Sequence, residues 1–181
     1  MRKSANRHID MNGIRLARSR DWEKYIKCNS REFGGMDCQL VTAINAYYFL
    51  TGKVIKQYSN RYRRLRELCG AMYGSATCIE KAHKRLGIVP TKTYCSLFPM
   101  LHEGKIMPLP MEVNIWHKFF GFHSALIVDF EKRVKAVRIL NFRHVATSDG
   151  WIFTEDLQHF AVQNPDKQEP RWRFRLFELE K

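Results

Sequence analysis

The sequence predicts an α+β fold, in which a helical half packs on a mainly antiparallel sheet. Apolar residues recur at helical spacing before Gly104, whereas short alternating or continuous apolar runs, typical of strands, follow it. With 181 residues, the chain is long enough to bury a core and short enough for one domain to be expected. We expect a basic arm over residues 1–20 and a single domain over residues 21–181.

Three helices are predicted in the first half. The clearest covers residues 38–51, where a wide apolar stripe is followed by Gly52 as a stop signal. A second, basic helix covers residues 60–68. A third begins at Thr77, with a glutamate three residues on as a capping box, and ends at Gly87.

Five strands are predicted in the second half, over residues 108–116, 123–130, 134–142, 150–154 and 171–180. The run from Ala125 to Val128 is apolar on both faces, which indicates a central, covered strand. Arginines alternate with apolar residues at the start of the last segment. This alternation is typical of an edge strand whose charges oppose aggregation.

The second and third predicted strands form a hairpin. With the turn centred on Lys132, His123 and Asn141 lie nine residues from the centre on either side and face each other. Opposed residues have Cβ atoms about 4.5–5.5 Å apart, so an asparagine there can orient an imidazole. Asp129 is excluded from that role, because it lies six residues from His123, about 20 Å along the strand.

Cys38 opens the clearest helix, directly after an aspartate. A helix N-terminus favours thiolate, the nucleophilic form of cysteine. A neighbouring His123 would act as general base and acid, and Asn141 would hold its ring. The backbone N–H of Cys38 would donate to an oxyanion. These three residue types make a nucleophilic catalytic set.

The order of these residues resembles that of papain-like cysteine peptidases. "DCQLVTAINAYYFLTG", "ATCIEKAHKRLGI", "PLPMEVNIW…FHSALIVDF…VRILNF" and "GWIFTEDLQHF" are similar, in order, to segments of the bacteriocin-processing peptidases that cleave double-glycine leaders. The resemblance covers roughly residues 33–160. It implies a papain-like fold with Cys38 as nucleophile, His123 as base and Asn141 as orienting residue.

One departure concerns the second oxyanion donor. The family has a glutamine six residues before its cysteine, and this chain has Glu32 there. An ionised carboxylate would repel an oxyanion, so Gln39 or Asn29 would have to replace it, or the activity is changed or lost. The glycine that follows the family's cysteine is also Gln39 here.

Other interpretations of these residues compete. Cys38 could be a buried small apolar residue, His123 a strand-end histidine and Asn141 a residue that turns the chain out of a strand. His117 and His144 are the rival bases. The remaining cysteines are predicted to be unreactive, and we expect no metal or cofactor, because no ligand pair has a usual spacing. These cysteines are Cys28, Cys69, Cys78 and Cys95.

The formal net charge is +13, with six basic residues in the first 20 and five between Lys56 and Arg66. Such clusters favour an acidic partner or nucleic acid, although a merely solubilising surface fits equally well. The odd cysteine count and the lack of an apolar leader indicate a reducing, cytoplasmic setting, or the host cytoplasm for a viral protein. No apolar run is long enough to span a membrane.

Two functions are therefore expected. The first is a cysteine hydrolase that cleaves a peptide or isopeptide bond of a protein substrate through a thioester, with an acyltransferase as a variant that differs only in the acceptor. The alternative is a catalytically degenerate papain-like module that binds an acidic partner or nucleic acid.

Overall fold

The computed structural model of the protein describes residues 22–29, 37–70, 79–94, 96–97, 107–117, 121–142, 150–160 and 174–181. Several residues discussed above lie outside these ranges: those of the arm 1–20, Glu32, Thr77, Cys78, Cys95 and His144. The helices are α1 (Cys38–Thr51), α2 (Asn60–Leu68), α3 (Ile79–Leu86) and α4 (Thr154–Phe160). The strands are β1 (Ile88–Tyr94), β2 (Met111–His117), β3 (Gly121–Glu131), β4 (Ala136–Leu140), β5 (Trp151–Phe153) and β6 (Phe174–Leu179).

Helix α1 has the predicted bounds. It ends at Gly52, whose φ of 69° is left-handed and whose N–H donates to the carbonyl of Tyr48. Nine of its 14 residues are buried, including Thr42 and Asn45 as well as the apolar stripe. The helix is therefore covered on several sides and forms the centre of the helical half.

Helices α2 and α3 are basic and amphipathic. Helix α2 begins after Ser59, whose hydroxyl accepts from the backbone N–H of Tyr62 at 3.3 Å. Its predicted bounds are confirmed. In α3 the buried residues are Ile79, Ala82, His83 and Leu86.

The strands form one antiparallel sheet in the order β1-β6-β2-β3-β4-β5. The prediction that the C-terminal segment is an edge strand was wrong, because β6 pairs with β1 on one side and β2 on the other. Strand β1 was not predicted. It contains Pro90 and exposes most of its residues, so it lacks the apolar alternation by which strands are identified.

The predicted register of the β3–β4 hairpin was also wrong. The turn covers four residues, Lys132–Lys135, and the register shifts between Ile127 and Asp129. Leu126 pairs with Leu140, so Asn141 lies at the level of Ala125 rather than directly opposite His123. Lys135 has a φ of 51°, a left-handed turn conformation that its sequence does not indicate.

The sheet separates two apolar cores. One core joins α1, α2 and α3 to residues on one face, among them Leu126 and Phe177. The other covers the opposite face, where Ala125 and Ile127 pack with Leu157 of α4. Within the described ranges, no helix has the length and apolar character needed to cross a membrane.

Segment 22–29 is fastened along α1. The side chain of Asn45, only 1% exposed, accepts from the backbone N–H of Ile26 at 2.9 Å and donates to its carbonyl at 2.8 Å. Tyr25 packs edge-on against Tyr48 with ring centroids 4.8 Å apart. These contacts place the end of the segment, Asn29, beside Asn141 at the end of β4.

Candidate active site

Cys38 is the first residue of α1 and is half-buried. The preceding Asp37 is 2% exposed and makes no side-chain cap of the helix. Its carboxylate instead accepts a hydrogen bond from the hydroxyl of Tyr62. This contact ties the start of α1 to α2, and burial together with Asp37 raises the pKa of Tyr62 well above its usual range.

Two backbone N–H groups and two buried carboxylates affect the pKa of the Cys38 thiol. Burial is the largest effect and raises the pKa of Cys38, and the charges of Glu112 and Asp37 raise it further. The N–H groups of Ser124 and Gln39 lower the pKa of this thiol but are outweighed. The helix N-terminus therefore does not produce the thiolate that the sequence led us to expect.

His123 lies on β3, paired with Ile115 of β2. Its Nε2 is 2.5 Å from the backbone carbonyl oxygen of Asn141. A carbonyl oxygen can only accept, so Nε2 carries the proton in this contact. In the neutral ring, Nδ1 is then the nitrogen able to accept a proton.

Asn141 contacts His123 through its main chain rather than through its amide. The amide nitrogen Nδ2 donates instead to Oδ1 of Asn29 at 2.7 Å and to the carbonyl of Ser124 at 3.4 Å. The residue has a φ of 64°, in the left-handed region that asparagine adopts more readily than most residues. The expected pair of residues thus meets, but through a different group.

Ser124 links the three predicted residues. Its backbone N–H lowers the pKa of the Cys38 thiol, its carbonyl accepts from Nδ2 of Asn141 at 3.4 Å, and it directly follows His123 in the chain. The rival His117 pairs with Gly121 at the end of β2, two residues beyond the partner of His123. Cys69 is buried, as its predicted unreactive role requires, and Cys28 is half-buried.

Sequence reasoning missed a polar network behind the thiol. Glu112 of β2 is 1% exposed, and its Oε1 lies 2.6 Å from the Ser124 hydroxyl. The same hydroxyl lies 2.9 Å from Oγ1 of Thr42 on α1. The other carboxylate oxygen, Oε2, accepts from Nε of Arg175 on β6. The sequence signal that could have revealed this network is Glu112, the lone charge among apolar residues in "PLPMEVNIW".

No group of three or more His, Cys, Asp or Glu side chains within the described ranges is arranged to hold a metal ion.

Comparison with known proteins supports this description of the fold. No protein-family model matches the chain, and no curated protein matches it. A solved structure that matches is the peptidase domain of ComA from Streptococcus, a bi-functional ABC transporter involved in a quorum-sensing pathway. The two are 15% identical, with a TM-score of 0.55 over 86% of this chain and 97% of that domain. This chain therefore has the α+β, papain-like fold of a peptidase domain.

Proposed function

We propose that this protein is a cysteine hydrolase that cleaves a peptide or isopeptide bond, with Cys38 as nucleophile, His123 as base and Asn141 as orienting residue. The observation that carries the proposal is the convergence on Ser124. Its N–H faces the Cys38 sulfur, while its neighbour His123 is held at Nε2 by Asn141. The likeness in fold to a peptidase domain supports the same conclusion.

In the first step, the sulfur of Cys38 attacks the carbonyl carbon of the scissile bond as His123 accepts the thiol proton at Nδ1. Proton transfer during attack is needed because burial raises the pKa of the thiol. The bond that Nε2–H donates to Asn141 keeps the ring in the required tautomer. The backbone N–H of Cys38 would donate to the oxyanion, since the first N–H groups of a helix lack intrahelical partners.

In the second step, the imidazolium protonates the leaving amine, and the acyl group remains on sulfur as a thioester. His123 then takes a proton from water, whose oxygen attacks the thioester. The acid is released and the thiol regains its proton. With an amine in place of water, the same steps transfer the acyl group. The acyltransferase variant therefore differs only in the acceptor.

The test of this proposal uses a peptide library made from a digested proteome. The wild-type protein should produce new peptide termini, detected by mass spectrometry, and Cys38→Ser should produce none. Cys69→Ser is the matched control, because that buried thiol belongs to the core. Equal cleavage by the wild type and Cys38→Ser, or no cleavage by either, would contradict the proposal.

The cysteines are compatible with the reducing, cytoplasmic setting that we propose. Cys28, Cys38 and Cys69 are free thiols. A hydrolase that depends on a free thiol needs such a setting, or a local reductant, to remain active.

A second candidate function is favoured by the charge of the helical half, residues 38–70 and 79–87. This region carries nine Lys and Arg residues against Glu67 and Glu80. Most of the nine are exposed, on α2, α3 and the loop before α2. Such a surface attracts polyanions, so a papain-like module that binds nucleic acid or an acidic protein is the alternative function.

This alternative is tested with a labelled DNA duplex of about 20 base pairs, long enough to cover a surface of this size. Replacing Lys53, Lys56 and Arg64 together with glutamine should weaken binding and reduce the salt slope by about three. The control replaces Lys92, Lys132 and Lys135, which are exposed on the sheet half. Equal affinity of the two triple variants would contradict a specific role for the helical surface.

A further inference from the structure

Behind the Cys38 thiol lies a buried ion pair that the proposed reaction does not use. The Glu112 side chain is 1% exposed and that of Arg175 13% exposed, and the two are bonded through Oε2 and Nε. Taking two charges out of water costs several kcal/mol per ion, on the order of what their attraction returns. A pair in this place therefore needs an explanation other than stability.

The ion pair is connected to the nucleophile through Ser124. Glu112 pairs with Leu126 and Asn114 pairs with Ser124, so Glu112 and Ser124 are diagonal neighbours on one face of the sheet. The carboxylate meets the Ser124 hydroxyl at 2.6 Å. The backbone N–H of the same serine faces the Cys38 sulfur.

A second connection reaches α1 directly. The Ser124 hydroxyl lies 2.9 Å from Oγ1 of Thr42, which is one turn after Cys38 on α1. Thr42 and Ser124 are 1% and 2% exposed, so water does not compete for these bonds. The network therefore joins β6, β2 and β3 to the helix that begins with the nucleophile.

We propose that Glu112 is a positioning residue for Cys38. Held by Arg175, it fixes Ser124, whose N–H faces the sulfur, and it places a negative charge behind the thiol. This inference rests on the proposed function, because it concerns the nucleophile named there. Glu112 does not touch the substrate in this scheme and acts only through Ser124 and through its charge.

The consequence is a nucleophile that stays protonated until His123 takes its proton. The charged groups that act on the thiol are Asp37 before α1 and Glu112 on β2, and Arg175 of β6 is bonded to Glu112. His123 on β3 is the base proposed above. Both carboxylates raise the pKa of Cys38. A protonated thiol reacts slowly with oxidants and stray electrophiles, so the charge protects the resting enzyme.

The test is the pH dependence of Cys38 alkylation in Glu112→Gln. Glutamine keeps an oxygen for the Ser124 hydroxyl but removes the charge. Alkylation by iodoacetamide is followed over a pH series by mass spectrometry of the peptide that contains Cys38. The midpoint should fall by roughly one pH unit, so that alkylation at neutral pH becomes up to about tenfold faster.

Glu131→Gln is the matched control, since it makes the same charge change elsewhere on the sheet. Glu131 ends β3, eight residues or about 25 Å from His123. The pH midpoint of Cys38 alkylation in Glu131→Gln should equal that of the wild type. A merely structural Glu112 would lower the melting temperature of Glu112→Gln and leave its alkylation midpoint unchanged, which would overturn the proposal.

A double variant keeps the test decisive if Glu112→Gln fails to fold. Glu112→Gln with Arg175→Gln replaces the ion pair by a neutral pair and leaves no buried cation. Its midpoint should also fall, because Glu112 acts on the thiol more strongly than Arg175 does. An unshifted midpoint would refute the inference alone, whereas a Cys38→Ser variant that still cleaves peptides would refute the proposed function.

Discussion

The helical and sheet halves of this protein use their charges differently. The helical half carries nine basic residues against two glutamates, most of them in contact with water. The described strands, turns and α4 carry seven of each sign, and three of these groups are largely enclosed: Glu112, Arg138 and Arg175. The helical half therefore keeps its charges on the surface, whereas the sheet half also encloses three of its charged groups.

This difference indicates what each set of charges can do. Exposed cations act over a distance and are screened by salt, so they suit an encounter with a partner. Enclosed charges act on their immediate neighbours, because the interior screens them little. Arg138 illustrates the second case, since its guanidinium lies 3.7 Å from the ring centroid of Trp22 and fastens segment 22–29 to the sheet.

The largest expected effect separates a buried ion pair from an exposed one. Arg175→Met leaves the Glu112 carboxylate buried without its cation, and we expect the free energy of unfolding to fall by about 3–5 kcal/mol. The matched variant is Arg133→Met, which breaks the exposed pair with Glu131 and should not change stability measurably. Urea unfolding of both variants measures the difference. Equal stability of the two variants would show that the enclosed pair of the sheet half contributes no more than an exposed one.

The next effect concerns an enclosed titratable group in the helical half. His83 of α3 is 4% exposed and packs edge-on against Phe177, and its Nδ1 has no hydrogen-bond partner among the described residues. Burial lowers the pKa of His83 to about 4, and Arg175 contributes to the same shift. His83 therefore becomes protonated near pH 6.5 in the unfolded chain but only near pH 4 in the folded protein.

Stability should consequently fall as the pH drops through this window, by on the order of 3 kcal/mol. His83→Phe removes the titrating group. The unfolding free energy of this variant should therefore decrease less between pH 6.5 and pH 4 than that of the wild type. His159→Phe is the control, because that histidine is exposed on α4. Identical pH profiles for the wild type and His83→Phe would show that the ring is protonated in the folded state.

A smaller effect tests how Asn141 holds His123. If the main-chain carbonyl orients the ring, Asn141→Gly should keep peptide cleavage within about tenfold of the wild type, since glycine accepts a positive φ. Asn141→Val should lose about a hundredfold, because a β-branched residue is strained there. The imidazole tautomer, measured by nitrogen NMR, should follow the same order. Equal losses in both variants would point to the amide as the orienting group.

The smallest expected effect concerns the exposed cations. Glutamine at positions 53, 56 and 64 together should leave the melting temperature unchanged, because substitutions on an exposed surface rarely alter stability. Differential scanning calorimetry measures this alongside the binding experiment. A marked loss of stability would mean that these side chains belong to the packing of the helical half.

The first two helices were predicted more accurately than the strands because their ends are local, whereas α4 was not predicted and its first residue, Thr154, was assigned to a strand. Gly52 and Gly87 lie within one turn of the helix ends that they mark, and the bounds of α1 and α2 were predicted to the residue. Strand register depends on distant residues. The four-residue turn that ends at the left-handed Lys135 moved Asn141 away from its predicted position, and the irregularity after Ile127 brought it back by one residue.

For the candidate site, the sequence predicted the elements on which Cys38 and His123 lie but not the contacts that they make. Cys38 was correctly assigned to a helix start, but burial and two carboxylates reversed the expected effect on its pKa. Glu112 was overlooked because a charge alternating with apolar residues indicates a solvent face, and here α1 covers that face. Arg175 was assigned to an edge strand because β1, which covers that side of β6, was not identified.

Every residue, whatever its side chain, has a main-chain carbonyl like the one that His123 meets at position 141. Substitution there can redirect this oxygen but cannot delete it. In the proposed mechanism, the residue type at position 141 is then limited by its left-handed φ more than by its side chain. A motif search that requires an amide or a carboxylate there would miss any cysteine hydrolase in which the main chain orients the histidine.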